Sequence, residues 1–214
     1  MTGWDTDYTV RGNRWGGAAS ELPALPAGAR VLECGCGNGK TLAAMRSRGW
    51  EVIGIDISPA AVSLASAALA RGNFSLSDDS TGLHCCSVVC GDVTSLPFSD
   101  NSFDAVFCWH VLGHLPATVW PTAASEMRRV LRPSGKIFFK GFSRNDMRCG
   151  KGREVEPYSY LRGDGIVTHY FTDTELREVF GTGELTRVSW KMRVRGTDYL
   201  REELCGVFGR EGFD

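Results

Sequence analysis

Val31-Leu32-Glu33-Cys34-Gly35-Cys36-Gly37-Asn38-Gly39-Lys40 is the stretch on which the reading of this chain turns. An apolar strand runs into a glycine turn, and a helical pattern begins at Lys40. Glycines at alternate positions let the backbone turn tightly and come close to a ligand. The helix that follows points unpaired N–H groups at an anion. The loop stands at the carboxyl end of its strand, where open α/β sheets take their ligands. Two other glycine loops are excluded. A Walker A loop needs glycine five residues before Gly39, where Cys34 stands. The dinucleotide fingerprint needs glycine at Lys40, so the pattern here is E-x-G-x-G-x-G.

Two acids extend the pattern. Asp56 follows Glu33 by 23 residues and closes a second apolar run, Glu51–Asp56. A carboxylate there can accept both hydroxyls of a ribose. Asp92 ends a third run, in Cys90-Gly91-Asp92-Val93, where it can accept from an exocyclic amine of adenine. One loop for a charged tail, one acid for ribose and one for adenine describe a nucleoside that carries an amino acid.

Further out, strands and helices alternate. Strands are expected at Arg30–Cys34, Glu51–Asp56, Ser87–Gly91, Phe103–Trp109 and Lys136–Phe142. Helices are expected at 40–48, from the Ser58-Pro59 start to Arg71, at 118–131 ended by Arg132-Pro133-Ser134-Gly135, and at 171–180. The last of these is capped by Thr172 or Asp173, with Glu175 near its third position. Residues 73–84 read as a polar surface loop, and 143–156 as a basic segment without periodicity. Leu185–Arg195 and Glu203–Arg210 form an expected closing hairpin. The fold class is therefore α/β: a Rossmann-like, doubly wound, mostly parallel seven-stranded sheet, with a C-terminal antiparallel hairpin and helices on both faces.

With 214 residues, 43% hydrophobic and 23% charged, the chain is long enough for one well-buried domain and excludes disordered or fibrous classes. No apolar run is long enough to span a membrane. The first residues, MTGWDTDYTV, lack the basic and apolar regions of a secretory signal. The eight cysteines are then expected to be reduced, mostly small buried hydrophobes of a cytoplasmic protein. None forms C-x-x-C, and His110 and His114, four apart, lack the glutamate of a zincin, so no metal site is expected. Net charge is −1, but residues 128–163 hold ten basic against three acidic groups. That segment either meets a polyanion such as RNA or is a solvated basic face.

ECGCGNG, GIDIS, GDVTSLPF, SFDAVFCWHVLGHLP and RVLRPSGKIFF, in this order and spacing, resemble the class I S-adenosylmethionine-dependent methyltransferases over roughly residues 29–142. The resemblance implies S-adenosyl-L-methionine as cofactor and S-adenosyl-L-homocysteine as product. It places Glu33, Gly35, Cys36, Gly37, Asn38 and Gly39 around the methionine part, Asp56 on the ribose, and Ile57, Asp92 and Val93 at the adenine. Cys108 and His110 would stand at the mouth of strand four, beside the sulfonium. The other reading is a doubly wound domain for an unrelated nucleotide.

The flanks carry a narrower resemblance. LRPSGKIFFKGF (131–142), Asn145-Asp146-Met147-Arg148, Tyr160-Leu161-Arg162-Gly163-Asp164-Gly165 and His169-Tyr170-Phe171-Thr172 are similar to the tRNA 3-methylcytidine methyltransferase family. So is the opening Trp4-Asp5-x-x-Tyr8 with Arg14-Trp15. Gly141 stands where that family has an acid, and Ile166-Val167 where it has Thr-Arg. The resemblance implies tRNA as acceptor, bound by Lys140, Arg144, Arg148, Arg162 and Asp164. Trp4, Tyr8, Arg14 and Trp15 belong either to a lid over the cofactor or to a helix packed on the sheet edge. The chain then divides into a lid (1–28), a cofactor core (29–142), a substrate-side insertion (143–170) and a C-terminal helix and hairpin (171–214), all one methyltransferase domain.

In-line displacement from a sulfonium mainly needs alignment and exclusion of water. N3 of cytosine has a free lone pair, so it needs no base; for a protonated acceptor the candidate base is His110. The alternatives are a small-molecule methyltransferase and a non-catalytic, cofactor-binding partner subunit. Oligomeric state is not legible.

Overall fold

The computed structural model describes residues 3–12, 21–71, 86–163 and 165–210. Arg14, Trp15, Asp164 and the expected loop 73–84 lie outside the described residues.

Helix α1 (Gly3–Arg11) precedes a regular alternation. Strand β1 (Arg30–Cys34) leads to α2 (Lys40–Arg46), β2 (Glu51–Asp56) to α3 (Pro59–Arg71), then β3 (Cys86–Cys90) and β4 (Phe103–Trp109). After α4 (Trp120–Val130) come β5 (Leu131–Phe142), three short strands β6 (Arg153–Glu156), β7 (Ser159–Leu161) and β8 (Val167–His169), and α5 (Asp173–Phe180). The hairpin β9 (Gly183–Val194) and β10 (Thr197–Gly209) closes the chain. Strand order in the main sheet is β3-β2-β1-β4-β5-β10-β9. The first five are parallel, and β10 is antiparallel to both β5 and β9. This is the doubly wound seven-stranded sheet expected from the sequence.

Side chains alternate across the strands, so each face has its own core. Leu32, Cys34, Ile53, Ile55, Val106 and Cys108 pack with Met127, Val130 and Leu176 of α4 and α5. Val31, Val52, Ala105 and Phe107 pack on the other face with Leu42, Met45 and Ala65 of α2 and α3. Burial on both faces explains why these strands read as nearly continuous apolar runs. The helix caps follow the sequence reading. The Ser58 hydroxyl accepts from Ala61 N–H at 3.2 Å, and Thr172 with Glu175 completes a reciprocal capping box on α5.

Three boundaries differ. Leu131 already pairs with Phe103, and the ladder resumes at Lys136 with Ala105, so Arg132–Gly135 form an irregularity within β5 rather than a helix-ending turn before it. An ion pair of 2.5 Å from Arg132 to Asp104 fastens this irregularity. The hairpin has a closing strand that begins at Thr197, six residues before the expected Glu203. Its loop is only Arg195-Gly196, both with positive φ (49° and 84°), the two-residue geometry whose twist matches paired strands. The basic insertion also contains structure: β6, β7 and β8 form a small antiparallel sheet, too short and polar for periodicity to reveal. No helix among the described residues is long and apolar enough to cross a membrane.

Candidate active site

The sheet reverses its winding between β1 and β4, and their carboxyl ends open the crevice expected to take a ligand. From β1 the chain enters Gly35–Gly39, whose three glycines have φ of 65°, 53° and 79°. Gly37 shows what the loop requires. A Cβ there would lie 2.5 Å from the Tyr8 hydroxyl of α1, and a left-handed φ is unfavourable for other residues. Asp56, at the end of β2, locks the loop in place. Its Oδ2 accepts from Gly37 N–H and its Oδ1 from Ser58 N–H, each at 2.9 Å. Burial raises its pKa, and these amides work against the rise.

Glu33 is the electrostatic centre of the crevice. It is 4% exposed, and its Oε2 has no hydrogen-bond partner among the described residues. Burial pushes its pKa up to about 8, with Thr41 hydrogen bonding against the rise and Asp56 adding to it. A buried carboxyl with an unused oxygen fits a cationic ligand group such as an ammonium. Ile57, 42% exposed beside Asp56, offers an apolar surface. Asp92 is exposed and accepts from Thr94 N–H at 2.8 Å, while Val93 is buried. Cys36 and Cys108 are both buried. Cys108 belongs to the core, and burial holds its thiol up at about 12. Asn38 is partly exposed within the loop. Thus Glu33, the glycine loop, Asp56 and Ile57 stand together at the carboxyl ends of β1 and β2, and their chemistry fits a nucleoside bearing an amino acid.

Helix α1 crosses this edge. Asp5 accepts from the Ser58 hydroxyl at 2.9 Å and from Ala60 N–H at 3.2 Å, joining α1 to the start of α3. Trp4 meets His114 edge to face at 4.7 Å, and Tyr8 is buried over Gly37. At its other end, Gly3 approaches the Gly165 carbonyl of the insertion.

The expected acceptor side begins at the end of β4. His110 has a left-handed φ of 57° and donates its backbone N–H to Lys140 O at 2.8 Å. Its Nε2 lies 3.3 Å from Glu203 Oε1 on β10, and its ring 4.8 Å from that of Phe142. Burial raises the Glu203 carboxyl, but His110 and nearby Lys140 and Arg201 outweigh burial and leave it below its usual pKa. Of the basic residues, Lys140 Nζ sits 4.0 Å over Trp109. Arg144 pairs with Glu175 at 2.9 Å and stacks 3.4 Å over Tyr158. Arg148 and Arg162 lie partly exposed near Tyr170. Sequence reasoning assigned no site role to Glu203, Arg201 or Tyr170, which come from the hairpin and the insertion's end; the fold brings Glu203 to His110, and Arg201 and Tyr170 to the Phe142 ring beside it. His169, without an assigned partner in the sequence, is buried against the Ser159 hydroxyl at 2.8 Å.

Residues 32–139 match the methyltransferase domain family. The chain is 30% identical over 177 residues to the tRNA N(3)-cytidine methyltransferase METTL2 of Bos taurus, covering 79% of this chain and 45% of that protein. It is 29% identical over 198 residues to the tRNA N(3)-methylcytidine methyltransferase Mettl2 of Drosophila melanogaster, covering 81% of this chain and 58% of that one. The chain thus spans about half the length of these relatives. Among solved structures, a SAM-dependent methyltransferase of Methanosarcina mazei superposes with a TM-score of 0.67 at 24% identity, covering 86% of this chain and 94% of that one. A domain match over half the chain, joined to a crevice whose buried acid, glycine loop and Asp56 suit such a cofactor, places this chain in the S-adenosylmethionine-dependent methyltransferase family.

Proposed function

We propose that this chain transfers the methyl group of S-adenosylmethionine to N3 of an unpaired cytosine in tRNA, in the cytoplasm. The observation that supports the acceptor is the reach of the likeness to the tRNA N(3)-cytidine methyltransferases. It extends over 177 residues, well beyond the matched domain at 32–139.

In this reading Glu33 meets the cofactor's ammonium, and the Gly35–Gly39 loop, with Cys36 and Asn38, runs along its methionine part. Asp56 accepts from the ribose hydroxyls, using the lone pairs that Gly37 and Ser58 leave open. Ile57 packs on adenine between Asp92 and Val93, and Cys108 backs the pocket from the core. Helix α1 serves as the lid, with Trp4 and Tyr8 closing over the loop. Residues 143–170 form the acceptor side. There Lys140, Arg148 and Arg162 face the acceptor strand, and Arg144, held by Glu175, braces that surface.

The bound cofactor supplies a methyl group on a good leaving group. The protein aligns it with the acceptor nitrogen and excludes water. Cytosine N3 attacks through its own lone pair, so no proton has to leave before transfer. His110, fixed by Glu203 and its backbone bond to Lys140, shapes the mouth of the pocket rather than removing a proton.

The test is nucleoside mass spectrometry of unmodified tRNA incubated with the purified chain and the cofactor. Appearance of 3-methylcytidine is expected. Cofactor binding with no methylated nucleoside, but methylation of a metabolite extract, would transfer the assignment to a small-molecule acceptor.

A further inference from the structure

Three arginines, one aspartate and one tyrosine converge beside Phe142. Asp146, 3% exposed, accepts from Arg201 Nε at 2.6 Å, Glu202 N–H at 3.1 Å and Arg148 N–H at 2.9 Å. The aspartate is therefore committed to one guanidinium nitrogen and two backbone amides. Arg201, 5% exposed, lies 4.7 Å over the Phe142 ring, and its Nη2 is buried with no partner among the described residues. Tyr170 is fully buried with its ring 6.3 Å from Phe142, and its hydroxyl likewise has no partner there. Arg148 and Arg162 complete the group from the partly exposed side.

Buried donors are almost always satisfied, and an unmet one is costly. Here two border the same group, in which three cations face Asp146 and, on the Arg201 side, Glu203. Burial, with the charges of Arg201 and Arg162, lowers the Arg148 pKa, a sign of cations crowded against one another. Burial and Asp146 push the Tyr170 hydroxyl up to about 12, so it stays a donor. An anion with several oxygens would satisfy both donors and relieve the crowding, and guanidinium forks suit phosphate oxygens. Phe142 touches both this cluster and His110, so the anion would sit one ring away from the mouth of the methyl-transfer site.

We propose that Arg148, Arg162, Arg201 and Tyr170 form a phosphate subsite that holds the phosphodiester adjoining the methyl-accepting nucleotide. This assignment rests on the RNA reading above, and adds a specific anchor that positions the methyl-accepting nucleotide. Arg144 is not part of the subsite, because Glu175 and Tyr158 already engage its guanidinium.

The decisive variant is Tyr170→Phe, which keeps the ring packing and removes only an unmet hydroxyl. It is expected to melt no lower than the natural chain, yet to bind unmodified tRNA several-fold more weakly. Arg148→Ala is expected to lower the slope of log affinity against log salt by about one. Neutral methylphosphonates placed singly along a synthetic RNA hairpin with an unpaired cytosine should reveal one position that weakens binding about tenfold in the natural chain and not in Tyr170→Phe. If every linkage tolerates the neutral group, or Tyr170→Phe binds like the natural chain, the subsite is refuted. If the natural chain binds no RNA, the RNA reading fails on its own. Cytidine 5′-monophosphate against cytidine then decides the subsite: a preference of about tenfold that Tyr170→Phe abolishes supports it, and equal affinities refute it.

Discussion

Glu33→Gln is expected to make the ligand-free protein more stable and a worse cofactor binder. Burial raises the Glu33 carboxyl from 4.5 to about 8. The unfolded chain releases this proton above pH 4.5, while the folded chain keeps it until about pH 8. The group therefore lowers folding stability progressively across that window and has no effect below it. At pH 7 the penalty amounts to about 3 kcal/mol. Glutamine fills the same space, can keep a hydrogen bond to Thr41 and removes the penalty. It also gives up the ion pair with the cofactor's ammonium, a charged hydrogen bond worth about 1.5–3 kcal/mol, or roughly ten- to a hundredfold in affinity. Urea unfolding at pH 4.5 and pH 7 measures the first effect, and titration calorimetry with S-adenosylmethionine the second. The natural chain should lose stability between the two pH values relative to Glu33→Gln. Parallel stability curves would show that Glu33 is not held protonated, and equal affinities would remove it from the ammonium site.

Three other expectations follow from the geometry. Gly37→Ala places a methyl 2.5 Å from the Tyr8 hydroxyl at a φ of 53°, so it should cost about 1–2 kcal/mol from backbone strain and weaken cofactor binding; pairing it with Tyr8→Phe should recover part of the affinity in the same titration. Asp146→Asn leaves the buried Arg201 guanidinium without its counter-charge, which should cost about 3–5 kcal/mol in denaturant unfolding. His110→Asn should lower kcat on tRNA by less than about tenfold, because a general base would contribute about 10²–10⁴; a loss in that larger range would mean that a proton must be removed and that the acceptor is not cytosine N3.

The parallel core was legible because both faces of each strand are buried, as in Val31-Leu32 and Val106-Phe107, and because the loop at Gly35–Gly39 and the cap at Ser58 mark the transitions. What escaped was structure whose signals are not local. Between Thr197 and Glu203 the hairpin carries Asp198, Arg201 and Glu202, and no apolar alternation marks it as strand. Its long register follows from Arg195-Gly196 and from pairing with β5. The same holds for the acceptor side. Arg148 and Arg162 were visible as charges, but Arg201 joins them from more than thirty positions away in the chain, and only the antiparallel turn brings it to Asp146. The glycine loop and its acids could be read locally, whereas the hairpin alone brings Glu203 to His110 and Arg201 to Asp146.

The outermost strand, β9, has one further consequence. Lys191 and Arg193 project at alternate positions from its exposed stretch, and Arg195 follows in the turn. A second molecule trying to extend the ladder there would bring its own cations against these, and like charges facing across paired strands repel. The rim of the sheet therefore carries its own guard against fibril-like growth, although its backbone groups stand ready for pairing.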